Sequence, residues 1–409
     1  MVWHLTHDRL LTGSPLRRPG TSRVICAGLV GVLALATIVN LAVFAGLGDD
    51  VLSVFDRALA RSSVLAVVPL GILWFLDRRE RESPMLFAAA FLWGGFIATG
   101  LALPLNTLFL HFAEAWVREH PQLKQLLGPD AALLLAAPIS APIVEEISKA
   151  LGVLLIFWLL RAEFDNMRDG IVYGGLVGLG FNWFEAALYV AQGYAENGTP
   201  PYGPQLGFRY ALFGLGGHVL FTGLFGAFLG MALQTKHTWL RYLAPLPGLV
   251  LAIAAHMLNN ALPLFLVLAG AAAGQPAPAH EPPPDVSFLQ AFWAGTLLHL
   301  TLHLPFLLIM GFAMWRSGLR ERRVIREELA DELEGAVTPS EYQDIVTDRI
   351  FRTRRIQMMR PQTSAALVNA QHELAFRKHR LKDCCLNPNL DPLVVAWRGE
   401  IVRLRNLPF

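Results

Sequence analysis

Apolar stretches of about 20 residues recur along this chain, and no other feature constrains its fold as tightly. Wound as an α-helix, a run of that length matches the thickness of a bilayer's hydrocarbon core. Taken with their flanks, the runs give about eight spans, near 24–47, 62–76, 84–110, 131–160, 171–193, 212–233, 244–269 and 287–315. The expectation is an all-α, polytopic membrane bundle. Composition agrees, because only 16% of the 409 residues are charged, against about 25% in soluble domains. A net charge of +2 gives no reason to expect a nucleic-acid partner.

Charge placement sets an expected orientation. Arg17, Arg18 and Arg23 precede the first run, which is too long for a signal-peptide core and reads as a retained span. Alternate loops then carry Arg78, Arg79 and Arg81; Arg161 and Arg168; Lys236 and Arg241; and Arg316, Arg320, Arg322 and Arg323. The positive-inside rule puts both termini in the cytoplasm. Residues 1–23 form a short cytoplasmic start, 24–315 the membrane domain, and 316–409 a charged helical tail. Within the tail, TPSEYQ reads as a helix start, with Pro339 in the first turn and Glu341 close behind. Cys26, Cys384 and Cys385 do not make a disulfide framework and read as reduced thiols.

Few ionisable residues fall inside the spans. They are Glu145, Glu146 and Lys149 in the fourth; Glu185 in the fifth, with Asn182; His218 in the sixth; His256 in the seventh, with Asn260; and His299 and His303 in the eighth. Counted from the cytoplasmic flanks at ~1.5 Å per residue, the acidic and histidine groups lie roughly 20 to 27 Å up, in one layer. One buried site explains a shared level, whereas scattered structural groups do not. Lys149 follows the glutamates by one turn and balances one of them. Two negative charges then remain, which lipid does not tolerate. Raised carboxylate pKa values, imidazolium partners or a bound divalent cation would each answer this. Pro138 and Pro142 imply either a kink or a helix restart; a restart would place both glutamates in a first turn. Gly170, Gly174 and Gly178 make a small-residue face for close packing, which would bring Glu185 toward its partners.

EEISK (145–149), DGIVYGGLVGLGFNWFE (169–185), His218 and HMLNN (256–260) resemble, in order and spacing, the PrsW family of bacterial intramembrane proteases. That family is distantly related to the CAAX-processing and bacteriocin-immunity (CPBP) proteases. The resemblance covers roughly residues 130–270, leaving the first three spans and the tail outside. It implies peptide hydrolysis in a bacterial inner membrane, on a single-span substrate such as an anti-sigma factor. It implies that Glu145 activates water, with Glu146 beside it, and that His256 and Asn260 position and stabilise the oxyanion. Glu185 stands where the CAAX-type pattern has histidine; it would polarise the same water, orient a histidine or bind metal. The cofactor reading is either none or a divalent ion such as zinc, held by His218, His256 and Glu185. Lys149, His218 and Asn182 would support the site, and His299 and His303 lie outside the resemblance. Two other classes fit clustered charges at depth: a proton- or ion-coupled transporter, and a non-catalytic scaffold or immunity protein. No second copy of EExxK supports the first, and the complete motif set argues against the second. The tail's partner is not legible.

Overall fold

The computed structural model describes residues 19–407, apart from 47, 80–82, 161–163, 165, 236, 279–285, 334 and 348–358. Of the orientation pattern, Arg17, Arg18, Arg81, Arg161 and Lys236 lie outside the described residues. All described regular structure is helical, without strands. The described residues form two compact units, one from 19–75 and 83–313, the other from 76–79 and 314–407.

In the membrane unit, α1 (Pro19–Ala45) and α2 (Asp49–Leu76) come first. Next are α3 (Pro84–Leu92) and α4 (Thr99–Glu119), joined without a break by a π-helical turn, Trp93–Ala98. Short α5 (Pro121–Leu127) and α6 (Ala131–Ala136) lead to α7 (Ser140–Leu159) and the long α8 (Met167–Asn197). A short helix, α9 (Tyr202–Arg209), and a 3₁₀ turn (Ala211–Gly214) precede α10 (Gly217–Gln234). Short α11 (Thr238–Leu243), then α12 (Pro245–Ala272), α13 (Phe288–Leu302) and α14 (Leu304–Ala330) complete the order. Among the described residues, six helices are long and apolar enough to cross a bilayer, or seven if the pair α13–α14, bent by 78°, counts as one span. The count of eight is therefore not reproduced. The difference is α7, whose 20 residues carry Glu145, Glu146 and Lys149 and so fail on charge what they meet in length.

The centre of this unit is α8, whose most apolar window is 89% buried. Its start is fixed by a capping box, Asn166 Oδ1 accepting from the Arg168 and Asp169 amides while Asp169 accepts from the Asn166 amide. Its end is Gly198 in the left-handed region, φ 70°. The expected glycine face is present and goes further than side-chain packing. A β-carbon on Gly170, Gly174 or Gly178 would stand 1.9, 2.4 or 2.1 Å from the carbonyl oxygens of Gly226, Thr222 and His218 on α10. Backbone thus lies on backbone along two turns, and the seam ends at His218.

The second unit packs α14 from Met314 onward with α15 (Pro339–Val346), α16 (Pro361–Asp383) and α17 (Pro392–Arg405). Leu329, Leu367, Leu374, Trp397 and Ile401 lie in its core. The TPSEYQ reading holds: Thr338 caps α15 reciprocally with Glu341. Residues 76–79, part of a connector between spans in the sequence, belong here; Arg79 pairs with Glu321 at 3.1 Å, and its carbonyl meets His372 Nδ1 at 2.9 Å.

Acidic groups hold this unit together. Burial alone would raise the Glu332 carboxyl, but Arg398 and Lys378, each at 2.7 Å, hold it below the usual carboxylate range. Burial acts likewise on Asp391 and is outweighed by Arg377 and by the α17 amides it caps. Both folded-state values lie below the unfolded ones, so the stabilisation is whole at neutral pH and is lost as pH falls through the folded values. Amide exchange of residues 361–405 in the full chain is expected to stay protected from pH 7 to about 5 and to lose protection below about 4, after correction for intrinsic rates. Protection that is unchanged at pH 3 would remove these carboxylates from the stability of the unit.

Candidate active site

The site starts where α7 restarts. Helix breaks between Ala136 and Ser140 and resumes with Pro142 in the first turn, so the restart, not the kink, is what the prolines produce. Glu145 and Glu146 nevertheless fall in the second turn, beyond the stronger reach of the helix dipole. Side chains neutralise them instead. Lys149, fully buried, donates to Glu145 Oε2 at 3.2 Å and to Glu146 Oε1 at 2.9 Å, so it bridges both carboxylates rather than balancing one. Its third proton goes to His218 Nδ1 at 2.9 Å, and its Nζ lies 3.7 Å from the centre of the Phe181 ring.

These partners fix both imidazole tautomers, because a carboxylate oxygen only accepts. His218 Nε2–H donates to Glu185 Oε2 at 2.8 Å, and its Nδ1 accepts from Lys149. His256 Nδ1–H donates to Glu146 Oε1 at 3.1 Å, while its Nε2 faces Asn260 Nδ2 at 3.4 Å and Glu145 Oε2 at 3.9 Å. The two rings meet edge to face with centroids 4.9 Å apart, and Phe221 stacks on His256. Asn260 also donates to the Ala137 carbonyl, in the break before α7. Helices α7, α8, α10 and α12 thus deliver Glu145, Glu146, Lys149, Glu185, His218, His256 and Asn260 to one buried network.

A cavity of about 110 Å³ opens beside it, lined by Glu145, Glu185, His218, His256, Asn259 and Asn260 among others. That is room for several waters but not for a helical segment. Glu146 is not in the lining; it lies behind His256 and accepts from Thr222 at 2.9 Å. Asn182 lines the cavity and donates to the Arg209 carbonyl at 3.3 Å. His299 lines it too, while His303, at the α13–α14 bend, does not. These two histidines contact each other, Nδ1 to Nδ1 at 3.0 Å, and His303 Nε2–H donates to the Ala255 carbonyl at 3.2 Å. They buttress α12 rather than join the acidic network.

Three partners were not expected from sequence. Asn106 on α4 donates to Glu145 Oε1 at 3.2 Å, and its own buried Oδ1 has no hydrogen-bond partner among the described residues. Thr222, one turn beyond His218, holds Glu146. Arg209, at the end of α9, donates to Glu185 Oε2 at 2.6 Å and spreads over the Tyr189 ring. It sits in what the sequence reads as an outward loop, with nothing in its neighbours to mark it.

Arg209 changes the charge count. Three carboxylates face two fixed cations, Lys149 and Arg209, so with neutral histidines one negative charge remains rather than two. One proton on a carboxylate neutralises the site, and so does a divalent cation carrying a hydroxide. The donor set fits the second case. Glu145, His218 and His256 each offer a ligand atom within 4.8 Å of the others. The sequence-based set had Glu185 in place of Glu145; Glu185 is instead committed to Arg209 and His218. Each imidazole gives its N–H to a carboxylate and keeps its other lone pair, the arrangement that orients histidine ligands in metal centres. Two nitrogens and one oxygen, with a fourth position for water, suit zinc.

Arg209→Gln is expected to lower activity roughly 10- to 100-fold by releasing Glu185 and with it His218. In a Glu185→Gln background the same change should cost little more. Losses that multiply in the double variant would mean that Arg209 acts elsewhere.

Residues 82–279 match the family model described as PrsW family intramembrane metalloprotease. The match begins earlier than the motifs alone suggested, so α3 and α4, with Asn106, lie inside it. No curated protein and no solved structure matches the chain.

Proposed function

We infer, from the membership of residues 82–279 in the PrsW family and from the polar chamber inside them, that this multi-pass membrane protein is an intramembrane endopeptidase using Glu145 to activate water. The observation that carries the reading is convergence. EExxK, Glu185, His218 and HxxxN, on four different helices, meet around one cavity in which Glu145 is the member of the glutamate pair that reaches the lining.

The chemistry follows from the positions. A substrate segment unwound at the cavity presents its scissile carbonyl to a water beside Glu145. The water oxygen bonds to the carbonyl carbon as Glu145 takes a proton, and Asn260 Nδ2 donates to the developing oxyanion. Glu145 then returns the proton to the leaving nitrogen as the C–N bond breaks, giving a carboxylate and an amine. Asn106 and Lys149 hold Glu145, Glu146 (itself held by Thr222) holds His256, and Arg209 with Glu185 holds His218. A divalent cation held by Glu145, His218 and His256 would supply polarisation of the carbonyl and a more acidic water.

The substrate class that suits a polar chamber enclosed among apolar helices is a single-span membrane protein, such as an anti-sigma factor. The basic loops support cytoplasmic termini in a bacterial inner membrane, with cleavage toward the outer half. The test is purified protein in bilayers with single-span reporters whose membrane segments vary. Cleavage inside the span is the expected result. If no reporter is cut, or all cuts fall in soluble tails, the reading fails.

A further inference from the structure

We propose that Lys149 is a built-in cation that competes with a divalent metal for Glu145 and His218. Its Nζ sits at the focus of the lone pairs that a metal would use. It contacts Glu145 Oε2 at 3.2 Å and His218 Nδ1 at 2.9 Å, two of the three members of the candidate ligand group. All three of its protons are donated, the third to Glu146 at 2.9 Å, and its side chain is fully buried over Phe181. The ammonium is therefore satisfied where it stands.

The competition is chemical before it is electrostatic. Nδ1 of His218 has one lone pair in this tautomer, because Nε2–H is held by Glu185. That pair either accepts from Lys149 or binds a metal, and it cannot do both. Charge acts in the same direction. A divalent ion among these ligands would face a like charge inside a low-dielectric site unless the ammonium withdrew. Glu146 is the partner that remains to Lys149, since it is outside the ligand group and already holds the shortest of its carboxylate contacts. The site thus has two ordered forms. In one the lysine holds the two glutamates and His218 together; in the other a metal takes over Glu145 and His218. The lysine sets the metal concentration at which one gives way to the other. None of this depends on the chain being a protease.

The test is Zn²⁺ binding to the purified full-length protein in detergent, measured against a chromophoric chelator. Lys149→Met is expected to bind one Zn²⁺ roughly 10- to 100-fold more tightly than wild type, with the gain abolished in a His256→Ala background. Lys149→Gln, whose amide still hydrogen-bonds, should shift the same way and serves if the methionine variant does not fold. Arg209→Met removes an equal charge but leaves the Nδ1 lone pair of His218 with Lys149, so it should gain clearly less. In wild type, Zn²⁺ should move the ¹⁵N signals of His218 and of Lys149 Nζ together. The proposal is overturned if the Lys149 variants bind no more tightly than wild type, if Arg209→Met gains as much, or if His218 shifts while Lys149 does not. Cleavage is not read in any arm, so an inactive protein would count against the protease and not against this competition.

Discussion

Glu145→Gln is expected to reduce cleavage by at least about 10³-fold, the scale on which a positioned general base acts. The amide keeps the size of the side chain and still accepts from Asn106 or Lys149, so folding should survive and the loss should fall on kcat. Glu146→Gln is the informative companion. Glu146 is excluded from the cavity lining and acts on His256, Lys149 and Thr222. Its loss should be of the order of 10- to 100-fold, as for a residue that orients another. Single-turnover rates on one reporter would separate them. If Glu146→Gln proved the more damaging, the base would be the second glutamate and Glu145 its support.

The other large effect is on assembly. Gly178→Val should cost about 3 kcal/mol or more, at or beyond the upper end of ordinary overpacking. Its first added carbon would stand 2.1 Å from the His218 carbonyl oxygen and 2.6 Å from the carbonyl carbon. Backbone does not give way as a side-chain tip does, so α8 and α10 must part. They would part at the residue whose imidazole links Glu185 to Lys149. The apparent melting temperature in detergent should fall by roughly 6 to 12 °C. Gly311→Ala is the control, since nothing lies within 4 Å of a β-carbon there, and a helical alanine should be neutral or slightly stabilising. Equal melting of the two variants would mean that the seam is not a packing constraint.

The sequence exposes the acidic half of this site because a charge inside an apolar run is conspicuous. Glu145, Glu146, Lys149, Glu185, His218 and His256 each interrupt such a run and meet in one network, whereas His299 and His303, at the same expected depth, pair with each other instead. Arg209 escapes for the opposite reason: it follows a stretch of proline, glycine and tyrosine, where an arginine looks solvated. Only the fold of α9 brings its guanidinium to Glu185. Asn106 and Thr222 are small, uncharged and common in membrane helices, so neither has a signal until its partner is known. The difference between the two candidate ligand sets has a similar origin. Sequence shows which residues are ionisable, but not that Glu185 is already taken. The α7 restart was open in the sequence because a proline pair permits both outcomes, and the count of eight spans is not reproduced because α7 carries three charges within its 20 residues.

The grip on Arg79 has a consequence for how the chain is made. Its side chain closes on Glu321, 242 positions later, and its carbonyl on His372, 293 positions later. At ribosomal rates of about 5–20 residues per second, that interval is roughly 15 to 60 s. Until it ends, a segment destined for burial waits between two spans without the full set of its partners. A ribosome that stops short of His372 therefore releases more than a protein without its tail. It releases one whose early connector has no finished form, and a quality-control protease would have a mark near residue 79 by which to recognise it.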